Sequence, residues 1–498
     1  MQSLSRKIVK LLIAVFTGCF LLTCLTRLTM PKFFTSWNCP LATHEGFYGL
    51  KENTVDVLTL GSSYSFCSID PQYLYDQKHI RGFDLGSGNQ SVMLSYFWLK
   101  EALRSQSPKA VLLEADLCWK RVDTPYNMKE ADVRRSIDYM HVSPVKFEAI
   151  KAYSEMDDTM TLSSLLFPII RYHDRWKEFD EDDFVWSEPS RRSELKGFYA
   201  QATLNKKEGY VPYSNEDRTE TVEMDPVSVE YLEKILSICR DNDIHLILYR
   251  SPAFYQDPLN ESAALEEWAA ANNVSFYDFN EESLYNTIDY NYDQDAGDYR
   301  HCNIYGARKI TDFMGNLLTQ LGVSPVEDEQ WEDSRERYQQ EIKDITLSHI
   351  TDTDQFIEAI GDEDYTVFVS SKGGIDEQYL SVVQKLVQSL GIDPSDVVNT
   401  SSSLGAVVEQ GKVMFFETGD EIIKEEGTFR GGKSRYRLQC SNSENTKTSE
   451  IIIDNVNQSW DREGLNVVVY ENRKRAVIDT VCIEAGETGL TVTRQILK

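Results

Sequence analysis

Short apolar runs rich in β-branched residues punctuate the first two thirds of the chain, each closed by glycine, serine or charge. Val55, Val57, Leu58 and Leu60 open the series and read as a strand buried on both faces that stops at Gly61. Residues 83–88 (FDLGSG) read as a second strand running into a glycine turn, 109–117 (KAVLLEADL) as a third, 244–249 (IHLILY) as a fourth and 274–279 as a fifth. Between them, apolar positions three and four apart predict helices over 90–103, 225–242, 261–272 and 304–321, and another starts near Pro71. Strand alternating with helix predicts an α/β fold with a doubly wound parallel sheet. Residues 119–224 break the rhythm with polar, aromatic and charged sequence, including HDRWKEFDEDDFVW at 173–186. An insertion after a strand's carboxyl end suits a lid or substrate platform, and equally a packing subdomain.

The two ends of the chain follow other patterns. Leu11 to Leu25 is almost wholly apolar, and Arg6, Lys7 and Lys10 precede it. No A-x-A cleavage pattern follows, and the apolar run continues past Cys19, against a lipoprotein site. The stretch therefore reads as an uncleaved transmembrane anchor over residues 1–30, its amino end cytoplasmic and the bulk of the chain extracytoplasmic. The main domain spans 31–325. Val326 to Asp344 (VEDEQWEDSRERYQQEIKD) reads as a solvated acidic helix linking two domains, with the linker set at 326–345. Residues 346–498 read as a smaller α/β domain, with strands at 365–370 and 412–416, a helix at 377–390, and a hairpin of 467–470 with 476–483 closing the chain.

Composition narrows the function classes. A formal charge of −29 over 498 residues argues against non-specific nucleic-acid binding, which needs a basic surface. Nine cysteines show no metal-ligand spacing and no paired framework, and nothing in the sequence implies a metal or organic cofactor. Cys440 and Cys482 could pair outside the cell, although free buried thiols are the simpler reading.

The chemistry rests on two stretches far apart. Gly61-Ser62-Ser63-Tyr64 puts a hydroxyl at the carboxyl end of a parallel strand, where ligands bind in open α/β sheets. Asp298-Tyr299-Arg300-His301 comes just before the closing helix, with Asn303 and Gly306 following. Serine needs a base to become a nucleophile, and a histidine base needs an acceptor to hold its tautomer. Asp298 and His301, three apart, can share one side of a turn. Taken singly, Ser63 reads as a helix cap, His301 as a surface histidine and Asp298 as a turn former.

Together these blocks resemble the SGNH (GDSL) hydrolases over 55–321, whose G-D-S-x and D-x-x-H motifs match Gly61 to Tyr64 and Asp298 to His301. The resemblance implies an SGNH/flavodoxin-like fold, Ser63 as nucleophile, His301 as base and Asp298 as its orienting acid. Ser62 stands where the family has aspartate, as in membrane-anchored cell-wall branches that resemble alginate O-acetyltransferases and teichoic-acid D-alanylation proteins. The family's G-x-N-D block is missing, with Glu114-Ala115-Asp116 in its place. An oxyanion hole is expected from the backbone N–H groups of Ser63 and Gly86 and the side chain of Asn89, although an asparagine there is also a common helix cap. Glu114, Asp116 and Arg250 either line the pocket or form an internal salt bridge, and His173 and Trp176 either contact a sugar or belong to packing. The C-terminal part resembles the interleukin-like epithelial–mesenchymal inducer (PANDER-like) domain over 464–480 and 365–390, which includes domains thought to recognise carbohydrate. The reading that results is an extracytoplasmic esterase or O-acyltransferase acting on acylated envelope glycans. Its partners would be an acylated polysaccharide or glycan, the membrane, and proteins of envelope biosynthesis. The alternative is a degenerate SGNH scaffold that binds glycans or partner proteins.

Overall fold

The computed structural model describes residues 2–32, 40–179, 182–184, 193–204, 209–214, 220–255, 257–373, 377, 380–397, 402–443, 446–485 and 489–494. They form two compact units, Met1–Gln339 and Gln340–Lys498.

The first unit is built on five parallel strands: β1 (Val57–Leu60), β2 (Gly82–Asp84), β3 (Ala110–Glu114), β4 (His245–Arg250) and β5 (Ser275–Asp278). Their order is β2-β1-β3-β4-β5, a doubly wound sheet whose direction of winding reverses between β1 and β3. All four residues of β1 and all five of β3 are buried, as continuous apolar runs in a sheet covered on both faces require. The flanking helices begin where the sequence supplies a cap. Asp70, Ser91, Asp225 and Asn303 each accept a first-turn N–H, opening Pro71–Lys78, Val92–Ala102, Pro226–Asp241 and Ile304–Gln320. Leu58, Leu60, Leu113 and Leu248 pack against Phe97, Trp98, Leu232 and Ile235 in one core.

The insertion divides its roles. Its helix Pro144–Met156 sends Val145, Ala149, Ile150 and Tyr153 into that same core, so this part packs. Its return, 196–201, runs along the carboxyl edge of the sheet. The carbonyl of Lys196 accepts from Asp84 N at 2.9 Å, Tyr199 N donates to Phe66 O at 2.7 Å, and Ile304 N donates to Gln201 O at 2.8 Å. Three pieces distant in sequence are thereby pinned together.

The acidic segment is a helix, Glu329–Leu347, but its first half is not solvated. Trp331 and Tyr338 are buried within the first unit. Tyr338 donates to Asp70 Oδ2 at 2.5 Å, Lys196 Nζ to Ser334 Oγ at 2.6 Å, and Arg335 Nε to Asp76 Oδ1 at 3.0 Å. The boundary between the units falls inside this helix, because a few aromatics outweigh the surrounding charge in deciding which face is covered.

The second unit carries far more strand than its sequence suggests. Ten strands form its sheet among the described residues, with Tyr365–Lys372 antiparallel to Gly464–Glu471 near its middle. Gly464–Glu471 and Ala476–Ala485 form the expected hairpin, but Leu490–Arg494 adds a further strand beyond it. Ile423–Phe429 and Ser434–Ser441 escape a hydrophobicity reading because their alternate residues are charged and exposed. The helix expected at 377–390 is described as Leu380–Ser389. Cys440 and Cys482 are buried free thiols.

At the amino end, Gln2–Thr29 is one helix. Its stretch Lys7–Thr29 is long and apolar enough to cross a membrane.

Candidate active site

β1 ends on a residue that only glycine can fill. Gly61 has φ +143, and a Cβ there would lie 2.7 Å from Glu114 Cβ on the neighbouring strand. The chain turns at once into the short helix Ser63–Phe66. Ser62, not Ser63, caps it: its Oγ accepts from Tyr64 N at 3.3 Å and donates to Glu114 Oε2 at 3.1 Å. Ser63 is left as the first helical residue with its hydroxyl uncommitted to the turn.

The opposing loop is shaped by one carboxylate. Asp298 Oδ1 accepts the N–H groups of Arg300 at 2.7 Å and His301 at 2.9 Å, closing a tight turn. Gly297 N donates to His301 O at 2.8 Å, and Ala296 bridges Cys302. Asn303 then caps the closing helix through Tyr305 N at 2.9 Å and Gly306 N at 3.2 Å. Gly306 lets that helix approach the loop, since a Cβ there would stand 2.3 Å from Asp295 O. The loop therefore reaches the sheet edge with Asp298 and His301 already oriented.

The two stretches meet. His301 Nε2 lies 2.8 Å from Ser63 Oγ, and His301 Nδ1 lies 2.9 Å from Asp298 Oδ2 and 3.1 Å from Oδ1. With the Nδ1 proton directed at Asp298, Nε2 is an acceptor for the serine hydroxyl. Ser63 is buried and His301 largely so, while Asp298 is about half exposed. Burial pulls the Asp298 carboxyl upward, but the hydrogen bond and charge of His301 and the two loop N–H groups outweigh it and hold the carboxyl below its ordinary range.

The expected oxyanion donors fare differently. Gly86 N donates to Asp84 Oδ1 at 2.6 Å, and Asn89 Nδ2 donates to Asp132 Oδ2 at 3.1 Å. Both are thus engaged by carboxylates, and Asn89 serves a left-handed turn at φ +55 rather than the pocket. The Ser63 N–H, at the amino end of its helix, donates to no group among the described residues. Asp84, unassigned from sequence, is fully buried beside this turn, accepts from Ser65 Oγ at 3.3 Å, and is pushed well above the usual carboxylate range by burial. An aspartate closing a buried strand two residues before a glycine was the available signal.

Arg250 resolves to an internal ion pair. It is fully buried, donates to Glu261 Oε2 at 2.8 Å, lies 3.5 Å from Asp278 Oδ2, and stacks its guanidinium 3.9 Å from the centre of the Tyr255 ring. Asp116 pairs with Arg121 at 3.0 Å. Glu114 is buried behind the turn at Gly61–Ser63, where desolvation and then the Asp116 charge push its carboxyl well above its ordinary value. A groove of about 170 Å³ is lined by Tyr210, Tyr213, Phe254 and Tyr255. The Tyr64 ring stands between one wall of this groove and His301, its centre 5.3 Å from Tyr255 and 5.5 Å from His301. The larger cavity, about 470 Å³, lies at the amino ends of β4 and β5 and holds none of these residues. His173 and Trp176 are not part of this groove; they are exposed on a 3₁₀ segment beside the N-terminal helix.

Fold and site together define a doubly wound α/β protein with a serine–histidine–aspartate relay at the carboxyl edge of its sheet. No protein-family model matches the chain, and no curated protein does. Among solved structures it is similar to a lipolytic protein of the G-D-S-L family from Desulfitobacterium hafniense, at 11% identity over 53% of this chain and 100% of that one, with a TM-score of 0.27. It is also similar to a GDSL-like lipase from Bacteroides thetaiotaomicron, at 12% identity over 56% and 97% of the two chains, TM-score 0.25. An acetyl xylan esterase from Butyrivibrio proteoclasticus is similar at 8% identity over 55% and 66%, TM-score 0.22.

Proposed function

We propose that this chain is an SGNH-type serine esterase or O-acyltransferase that acts on acyl esters of envelope glycans from the outer face of a membrane. One observation carries the reading: the continuous contact from Ser63 Oγ through His301 to Asp298, at 2.8 and 2.9 Å, between stretches more than 230 residues apart.

In the first step His301 Nε2 takes the Ser63 proton as Oγ attacks the ester carbonyl. Asp298 stabilises the imidazolium, and the Ser63 N–H donates to the developing oxyanion. Collapse passes the proton from His301 to the leaving alcohol and leaves an acyl-serine. Water then releases the acid, or a sugar hydroxyl takes the acyl group, with His301 again removing the proton. The groove's aromatic lining is of a character to stack on a sugar or acyl moiety. The engagement of Gly86 and Asn89 by carboxylates favours the second reading, a scaffold with a weakened oxyanion hole. A fluorophosphonate probe distinguishes them. The full chain should be labelled at Ser63 and the Ser63→Ala variant should not; an unlabelled native chain supports the scaffold.

A further inference from the structure

We propose that the region surrounding the carboxyl end of the N-terminal helix is a membrane-binding surface, seated in the headgroup layer of the bilayer that this helix crosses. The proposal rests on reading Lys7–Thr29 as a membrane span and adds a second point of attachment. Five large apolar side chains there face solvent: Val142, Phe167, Ile170, Trp176 and Phe184, exposed by 74, 41, 49, 63 and 60%. Burying such side chains in an apolar medium is favourable, and leaving them in water forgoes that gain.

The segments that bear Ile170, Trp176 and Phe184 are fixed to the helix. Ile169–Tyr172, His173–Lys177 and Asp182–Phe184 all contact it. Arg175 donates to Thr29 O at 2.8 Å and pairs with the buried Asp183 at 2.9 Å. On another side Arg27 pairs with Glu45 at 3.3 Å, and His141, next to Val142, lies 3.7 Å from the same carboxylate. Tyr139 donates to the carbonyl of Pro31. The exposed apolar residues are thus held at the level where the apolar helix ends.

That level is the interface. A hydrocarbon core of about 30 Å takes about 20 helical residues, so the 23-residue stretch Lys7–Thr29 ends at the headgroups. Tryptophan concentrates at that depth, and long basic side chains beside it extend to the phosphates. Arg171 and Lys177 flank Ile170 and Trp176 and are both more than half exposed. The same insertion returns through 196–201 to β2, the nucleophile turn and the closing helix. The bilayer would therefore fix the orientation of the catalytic edge as well as tether it.

Tryptophan quenching tests this in the full chain, reconstituted in phosphatidylethanolamine–phosphatidylglycerol vesicles with and without brominated acyl chains. Subtracting the emission of Trp176→Phe isolates Trp176. Its emission is expected to be quenched by bromine and shielded from aqueous iodide, and Ile170→Glu/Phe184→Glu should diminish both effects. If the chain resists alkaline extraction but Trp176 is untouched by bromine, the membrane surface is refuted and the span stands. Shielding from iodide without bromine quenching assigns the surface to a second copy of the chain and equally refutes it. A chain released by alkali refutes both the span and the surface.

Discussion

At the residue scale, the site divides neighbouring hydroxyls by geometry. Ser62 caps the turn and donates to Glu114, whereas Ser63 alone reaches His301. Ser63→Ala and His301→Ala should each lower kcat on an activated acetyl ester by about 10³-fold or more, and the double variant should be little worse, because the two act as a unit. Asp298→Asn should retain more activity than either, and Ser62→Ala more still. Asn89→Ala should cost less than about tenfold, against the 10²–10³ expected on removing a true oxyanion donor. Steady-state kinetics on the five single variants checks the set. An inactive Ser62→Ala beside an active Ser63→Ala would show that the register of the motif is wrong. Ser63, His301 and Asp298 were legible because the chemistry demands those residue types. The commitments of Gly86 and Asn89 were not, because they depend on Asp84 and Asp132, placed by packing.

At the element scale, the helices reveal how buried carboxylates are tolerated. Asp70 caps Pro71–Lys78 through Tyr73 N at 3.1 Å and accepts from Tyr338. Burial pushes its carboxyl from 3.8 up to about 6, with the Tyr338 hydrogen bond and Arg308 opposing the rise. The folded form thus holds this proton more tightly than the unfolded chain, so its contribution is intact below about pH 4 and declines as the pH rises to about 6. A shift of that size corresponds to roughly 3 kcal/mol. Asp70→Asn keeps an acceptor for the cap and removes the titration. Urea midpoints measured between about pH 4 and about pH 7 should therefore fall less steeply in the variant than in the native chain. Parallel profiles would mean that Asp70 ionises as it does in the unfolded chain.

At the scale of the whole molecule, the helix Glu329–Leu347 changes where the chain can be divided. Its acidic sequence suggests a cut anywhere in 326–344, but Trp331 and Tyr338 belong to the core of the first unit. A fragment ending at Pro325 should be less stable than one ending at Ile350 by about 3–5 kcal/mol, the usual cost of losing a buried tryptophan. Thermal melts of the two fragments, with Trp331→Ala in the longer one as a control, check this. Equal melting temperatures would return Trp331 to the surface. Esterase activity is expected to follow the more stable fragment.

The sequence alone determined the five-stranded parallel sheet, because unbroken apolar runs between capped helices can be buried in few other ways. It also singled out the serine, histidine and aspartate that the fold brings together, and the apolar helix at the amino end, because both readings rest on residue type and spacing. The tertiary structure decided the rest. It buried Asp84 and Glu114 behind the turn at Gly61–Ser63, paired Arg250 with Glu261, turned His173 and Trp176 away from the groove, and buried Trp331 of an acidic helix in a core. It also found most of the second unit's sheet in strands whose exposed faces are charged. In each case the deciding quantity is which neighbour covers a side chain, and neighbours distant in sequence leave no mark on local pattern.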